Sequence, residues 1–329
     1  MDDRFLDEMR REPSPEFARE LHDRLRRQGP ASRPARAWRP ARIGFALGGA
    51  LAATFVVLLF TVPAVRVSAQ AFLDLFRVRN FAAVSVDPAK LERLKDKSLG
   101  LESLLDQQTQ QLEKPGEPKV VSSTTEAAAL AGYPVRVPSR VPAGYVTDTI
   151  AVTGAGAARF TVNAPKIDEL LRTLGITDLK LPPDLDGKSV TVRTSAAVVQ
   201  RFVRDRRKMI FVQARSPEVS MPAGIDLPQL GEIALRVAGL DPAEAHRFAR
   251  SIDWHSTLVV PVPLGASSFS QMTVRGNPGL FVEVTDTGTS PSEHHHTGNM
   301  LMWSEGDMVY ALSGNMDRVS MVEMAESLR

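Results

Sequence analysis

Six histidines and no cysteine limit the chemistry open to this chain. Without thiols there is no disulfide, no iron–sulfur cluster, no thiolate zinc site and no cysteine nucleophile. Three of the histidines are consecutive, His294, His295 and His296, and imidazole suits zinc, copper and nickel. Adjacent side chains of an extended loop point alternately, so three in a row rarely meet on one ion. Thr287-Gly-Thr-Ser-Pro-Ser292 beside them reads as a loop, and Glu293 is a neighbour only in sequence. A solvated loop is expected, with His294, His295 and His296 as weak metal candidates. His22, His246 and His255 have no Ser or Asp at a motif spacing, so no catalytic triad is expected. The basic run Arg201, Arg204, Arg206, Arg207 and Lys208 suits anionic lipid or envelope polymer. It also suits a charged hairpin tip between two strands, which is the expectation. No glycine-rich phosphate loop occurs, and Gly48-Gly49 lies in an uncharged stretch where it serves helix packing. Catalysis has no positive support, so the chain is read as a non-enzyme without a cofactor.

Association has better support. Ser14 can cap a helix and Pro15 fits its first position. Phe17, Leu21 and Leu25 then recur every four residues, with Ala18 beside them, as one narrow apolar stripe. Glu20 and Arg24 are spaced for a helical ion pair on another face. So short a helix is marginal alone, and residues 1–42 have too few apolar groups for a core. The stripe must lie on a membrane or fill a groove on a protein. Its polar faces mix both charges instead of being basic, so Phe17, Leu21 and Leu25 are expected to bind a protein partner.

The elements that position these groups begin with Ile43–Val62, twenty residues without a charge. At about 1.5 Å per residue they span roughly 30 Å, the thickness of a hydrocarbon core. Arg33, Arg36, Arg39 and Arg42 precede the span closely and only Arg66 follows it as closely. The positive-inside rule then puts the N-terminus in the cytoplasm and the rest outside. Val67-Ser68-Ala69 has the small-residue look of a cleavage site. The long apolar stretch and the leader before it favour an uncleaved anchor. Of 329 residues with a net charge of +2, residues 1–42 hold eleven Arg and eight Asp/Glu, and the chain beyond the span is −1. That balance leaves no electrostatic footprint for nucleic acid.

Beyond Pro63, residues 65–76 have the spacing of a short amphipathic helix, and Phe81–Val86 alternates as a strand. From Pro88 to Lys114, Leu91, Leu94, Leu101, Leu105 and Leu112 fall on a heptad stripe, interrupted by Ser98, Gly100 and Gln108. This is either a coiled-coil stalk or a helix or spacer beside its own domain, and the latter is expected. Pro115-Gly-Glu-Pro118 marks the best boundary. The organisation read here is a cytoplasmic segment 1–42, a transmembrane helix 43–63, a helical stalk or spacer 64–118 and an outer domain 119–329.

In that outer domain, helices are expected over 123–131, 165–174, 227–237 and 241–252. A closing helix is opened by Ser320-x-x-Glu323, with Val319, Val322, Ala325 and Leu328 inward. Strands are expected over 146–153, 159–162, 190–193, 198–202, 209–213, 270–274, 280–285 and 300–303, with a hairpin turning at Glu305-Gly306. Strands and helices do not alternate, so the fold class is α+β, a mainly antiparallel sheet with packed helices outside the membrane, preceded by one transmembrane helix.

Tyr133-Pro-Val-x-Val-Pro138-x-x-Val-Pro142-x-Gly-Tyr145 resembles the opening motif of an uncharacterised bacterial extracytoplasmic domain. Leu301-x-Trp303, Gly306, Val309-Tyr310, Gly314 and Ala325-x-Ser327-Leu328 resemble its closing part. The resemblance covers roughly residues 125–329. Such domains form the outer part of single-pass membrane proteins, many of them anti-sigma-factor-like, and Pro13–Leu25 resembles their cytoplasmic piece. The His-Cys-Cys cluster of zinc-binding anti-sigma factors is absent. The resemblance implies membrane lipid and a cytoplasmic regulatory protein such as a sigma factor as partners. A non-enzymatic signalling or regulatory protein is the leading expectation. An exported binding or carrier domain, tethered with no cytoplasmic role, is the alternative.

Overall fold

Helix starts are where the sequence speaks most directly. Among the described residues each of five α-helices opens on a side chain that accepts from its own first turn. The computed structural model describes residues 74–87, 107–222, 224–263, 267–284 and 298–329. The stripe Phe17, Leu21 and Leu25, the stretch Ile43–Val62 and the loop His294, His295 and His296 lie outside them. Among the described residues no helix is long and apolar enough to cross a membrane.

Helix α1 (Thr124–Ala131) is capped by Ser123 and closed by Gly132 at φ 76°. Helices α2 (Ala164–Thr173), α3 (Leu227–Val237) and α4 (Pro242–Ser251) each carry Pro in the first turn, where its missing N–H costs nothing. Helix α5 (Arg318–Glu326) starts earlier than Ser320, because Asp317 is the cap and accepts from the Ser320 N–H at 2.9 Å. The inward face is accordingly Met321, Met324, Ala325 and Leu328, while Val319 is 65% exposed. Met321, Met324 and Ala325 follow the i, i+3, i+4 spacing of one helical stripe, and Leu328 lies past the helix end in a bridge to Pro138.

The strands are β1 (Asp74–Phe76), β2 (Asn80–Val86), β3 (Thr109–Glu113), β4 (Lys119–Val121), β5 (Val146–Thr153), β6 (Gly156–Thr161), β7 (Ser189–Thr194) and β8 (Ala197–Arg204). They continue as β9 (Arg207–Arg215), β10 (Glu218–Met221), β11 (Thr257–Pro263), β12 (Ser267–Val274), β13 (Asn277–Val284), β14 (Asn299–Glu305) and β15 (Met308–Gly314). They form an eight-stranded sheet in the order β12-β13-β14-β15-β9-β8-β5-β4, a five-stranded sheet β1-β10-β7-β6-β3 and a pair β11-β2. The two large sheets are antiparallel throughout and the pair is parallel. The fold is therefore α+β and mainly antiparallel.

The segment ahead of residue 119 differs from the expected helical spacer. Asp74–Phe76 is a strand on β10 and Thr109–Glu113 a strand on β6 where helix was expected, while Asn80–Val86, close to the strand expected at Phe81–Val86, pairs with β11. Their backbone groups are satisfied by the outer domain, so Pro115–Pro118 is a bend inside it and not its edge. The β14–β15 hairpin turns one residue later than expected, at Gly306-Asp307, with Glu305 opposite Met308.

The orders of the two large sheets share a feature. In one, β9, β8, β5 and β4 are neighbours, and in the other β10, β7, β6 and β3 follow the same sequence. Each strand of the first set is joined to its counterpart by a short link, at Ser216-Pro217, Ser195-Ala196, Gly154-Ala155 and Lys114–Pro118. Four strands thus run from sheet to sheet across one crease, as corner strands do. Hydroxyls supply bonds that the ladder lacks there. Thr153 Oγ1 accepts from the Ala197 N–H, Ser195 Oγ from the Arg215 N–H, and Ser216 Oγ from the Val78 N–H. A Cβ on Gly154 would stand 2.5 Å from the Gly116 N, so two of the links touch backbone to backbone.

Alternation sorts the core. From β13 and β14, Phe281, Leu301 and Trp303 face one side, with Phe211, Tyr310, Met321 and Met324. Leu280, Val282 and Met302 face the other, against Phe81, Leu258, Val260 and Val262 of the parallel pair. Both faces are buried, which is why these strands read as continuous apolar runs. Behind the pair, Val84 and Val86 meet Leu235, Ala245 and Ala249 of α3 and α4.

Candidate functional site

The proline-punctuated run Tyr133–Tyr145 belongs to neither large sheet, since Pro134, Pro138 and Pro142 have no N–H to give a ladder. Side chains hold it instead. The Tyr133 hydroxyl donates to Gln213 O at 2.7 Å, and burial pushes its pKa well up, keeping it a donor. The Arg136 N–H donates to Gln213 Oε1 at 2.9 Å, and the Arg136 carbonyl accepts from Gln200 Nε2 and Gln213 Nε2, each at 2.9 Å. Gln200 and Gln213 are 2% and 0% exposed, so two buried amides serve the run as a ladder would.

The Arg136 side chain makes a two-pronged pair with Glu305, at 2.7 Å on each prong, and lies 5.8 Å over the Tyr310 ring. Arg275 Nε donates to the same carboxylate at 3.1 Å. Burial by itself would raise the Glu305 carboxyl, but hydrogen bonds from Arg136 and Arg275 outweigh it and hold it below the usual carboxylate range. Its hydrogen bond to Glu305 raises the Arg136 guanidinium in turn. Arg275 also reaches the end of the chain, with Nη1 donating to Glu326 O and Leu328 O at 3.0 Å each. The Val137 and Arg329 backbones pair at 3.2 and 3.1 Å, and the Ser139 N–H donates to Ser327 O at 3.1 Å. The carboxylate accepts three guanidinium hydrogen bonds, so this arrangement clasps the run and the end of the chain together.

At the far end of the run lies an open recess of about 260 Å³ between Tyr145, Arg204, Arg207, Asn315, Asp317 and Ser320. The Arg204 guanidinium stands 5.1 Å over the Tyr145 ring and Nη1 donates to Ala143 O at 3.0 Å. Gly144 takes φ 82°, and a Cβ there would be 2.7 Å from Arg204 Cδ, so glycine lets the side chain lie on the backbone. Beside the recess, the Tyr145 hydroxyl is buried without a partner among the described residues, as is Trp303 Nε1 in the adjoining core.

The basic run is the hairpin tip expected, with Arg204 opposite Arg207 and Asp205 at φ 54°. Arg201 is drawn onto Asp148 and Thr149, while Arg206, Arg207 and Lys208 are exposed. His246 lies 2.8 Å from the Glu232 carboxylate and His255 3.5 Å from that of Asp253, so these two histidines stand beside separate carboxylates. Among the described residues no group of three or more His, Asp or Glu could hold a metal. The acids and amides of the clasp carried no sequence signal, because Arg136 and Glu305 lie 169 residues apart. Nor did the recess, which takes residues from three separate segments.

No family model, curated protein or solved structure matches the chain.

Proposed function

We propose that the chain is a membrane-anchored, non-enzymatic regulatory protein of the bacterial envelope. Ile43–Val62 spans the membrane, residues 1–42 lie in the cytoplasm and the α+β domain lies outside. Phe17, Leu21 and Leu25 dock a cytoplasmic regulatory protein of the sigma-factor class. The observation that carries this reading is the closeness of a charge-free, twenty-residue stretch to a folded domain. Only residues 63–73 separate Val62 from strand β1, at most about 40 Å of extended chain. The two parts of the motif behind the resemblance also converge, since Tyr145, Trp303, Tyr310, Ala325 and Leu328 share one core. A two-hybrid assay between residues 1–42 and the sigma factors of the same cell tests the docking. Leu21→Asp is expected to abolish the signal, and Arg19→Ala to reduce it less than twofold. Equal signals from wild type and Leu21→Asp would leave an anchored binding domain with no cytoplasmic role.

A further inference from the structure

The recess at the β8–β9 tip holds a charge that the domain itself does not neutralise. Arg204 and Arg207 stand directly opposite across the hairpin, an arrangement that costs stability when nothing lies between the charges. Arg204 is fixed by its bond to Ala143 O and by the Tyr145 ring. The Arg207 side chain has no hydrogen bond or ion pair among the described residues. The carboxylate of Asp317 is engaged at 2.9 Å by both the N–H and the hydroxyl of Ser320. Hydrogen bonding from Ser320 holds it below the usual carboxylate range, so it stays charged. Two guanidinium groups and one carboxylate leave the recess at +1.

We propose that this recess binds a singly charged phosphodiester. The net +1 is neutralised by one monoanion, whereas a dianion would leave the recess at −1 beside Asp317. A guanidinium fork presents paired donors to the oxygens of phosphate or carboxylate. A phosphodiester has four oxygens where a carboxylate has two, enough for Arg204, Arg207 and Asn315 together. A volume of about 260 Å³ takes a small diester with its flanking groups, and a lone carboxylate would leave most of it empty. The inference goes beyond the anchored-regulator reading, because it stands on the outer domain and holds whether or not residues 1–42 have a partner.

Phosphodiesters of this kind occur as lipid headgroups and as soluble or polymeric glycerol phosphates, and the test separates them. The full chain in neutral detergent is titrated by calorimetry with glycerophosphoglycerol and with dihexanoyl phosphatidylglycerol. Saturable one-to-one binding of either is expected, weaker at high salt. Equal affinity for both assigns recognition to the headgroup alone, and binding of the lipid only assigns it to the membrane. Arg207→Ala is expected to weaken binding at least tenfold. Arg206→Ala removes the same charge one residue from the recess and is expected to change it less than twofold. Unchanged melting of Arg207→Ala, whose side chain is exposed, separates lost binding from lost fold. No saturable binding, equal losses in both variants, or tighter binding of inorganic sulfate than of the diester would overturn the proposal.

Discussion

At the scale of single residues, Glu305 governs how the clasp answers to acid. Its folded pKa is lowered, so its contribution is complete above the unfolded carboxyl's value of about 4.3 and is lost as pH falls toward the folded value. Glu305→Gln removes the charge that Arg136 and Arg275 share. The carboxylate is 25% exposed, so the expected loss at neutral pH is on the order of 1 kcal/mol after allowing for solvent screening. Urea unfolding of both proteins from pH 7 to pH 3 checks this. The gap should close below about pH 4, where wild type protonates the same group. Asp178, Asp253 and Asp317 also have lowered values, but they are common to both proteins and cancel in the difference. Curves that stay parallel over the whole range would show that the ion pairs do not set this part of the stability.

At the scale of elements, the join between α3 and α4 depends on one glycine. A Cβ at Gly231 would lie 2.0 Å from Trp254 Cζ2, so the indole lies flat on the α3 backbone, with Trp254 Nε1 donating to Ala249 O at 2.6 Å. Alanine is the better helix former by about 1 kcal/mol, yet Gly231→Ala must displace the ring and break that bond. A net loss of about 1–3 kcal/mol is expected from such overpacking, read as a lower melting temperature, and a rise would refute the contact. Elements with a strong local signal were legible in sequence. Leu227–Val237 and Val146–Thr153 are as expected, and Asp241 caps as its type and place suggested. The strands that went unread lack such a signal. Thr109–Glu113 is polar and largely exposed, so no period marks it. Thr257–Pro263 contains Pro261 and Pro263, which read as breakers. A two-stranded sheet has only edge strands, and there a missing N–H is tolerated. Neither the crease nor the clasp was legible, because both come from pairings between distant residues that no local period records.

At the scale of the whole molecule, the proposed uncleaved topology can be measured directly. A reporter fused after Arg329 is expected to be active only when translocated, and the mature protein should begin at Met1 or Asp2. A mature N-terminus at Gln70 would make Ile43–Val62 part of a signal peptide. Cleavage there would also separate residues 1–42 from the domain, and the docking proposal would fall with the anchor. If the tether holds, any tension on it enters the domain at Asp74, through a strand only three residues long. Such a strand peels from β10 one pair at a time and resists weakly. Beyond β1 the load passes to β2, which pairs with β11, and the two large sheets behind it are tied by four backbone crossings at the crease. Those crossings join the sheets along one line, so the sheets part only when their strands unpair. A pull on the domain in a force experiment should therefore give one early, low-force yield for β1 and a much larger event when the sheets themselves fail.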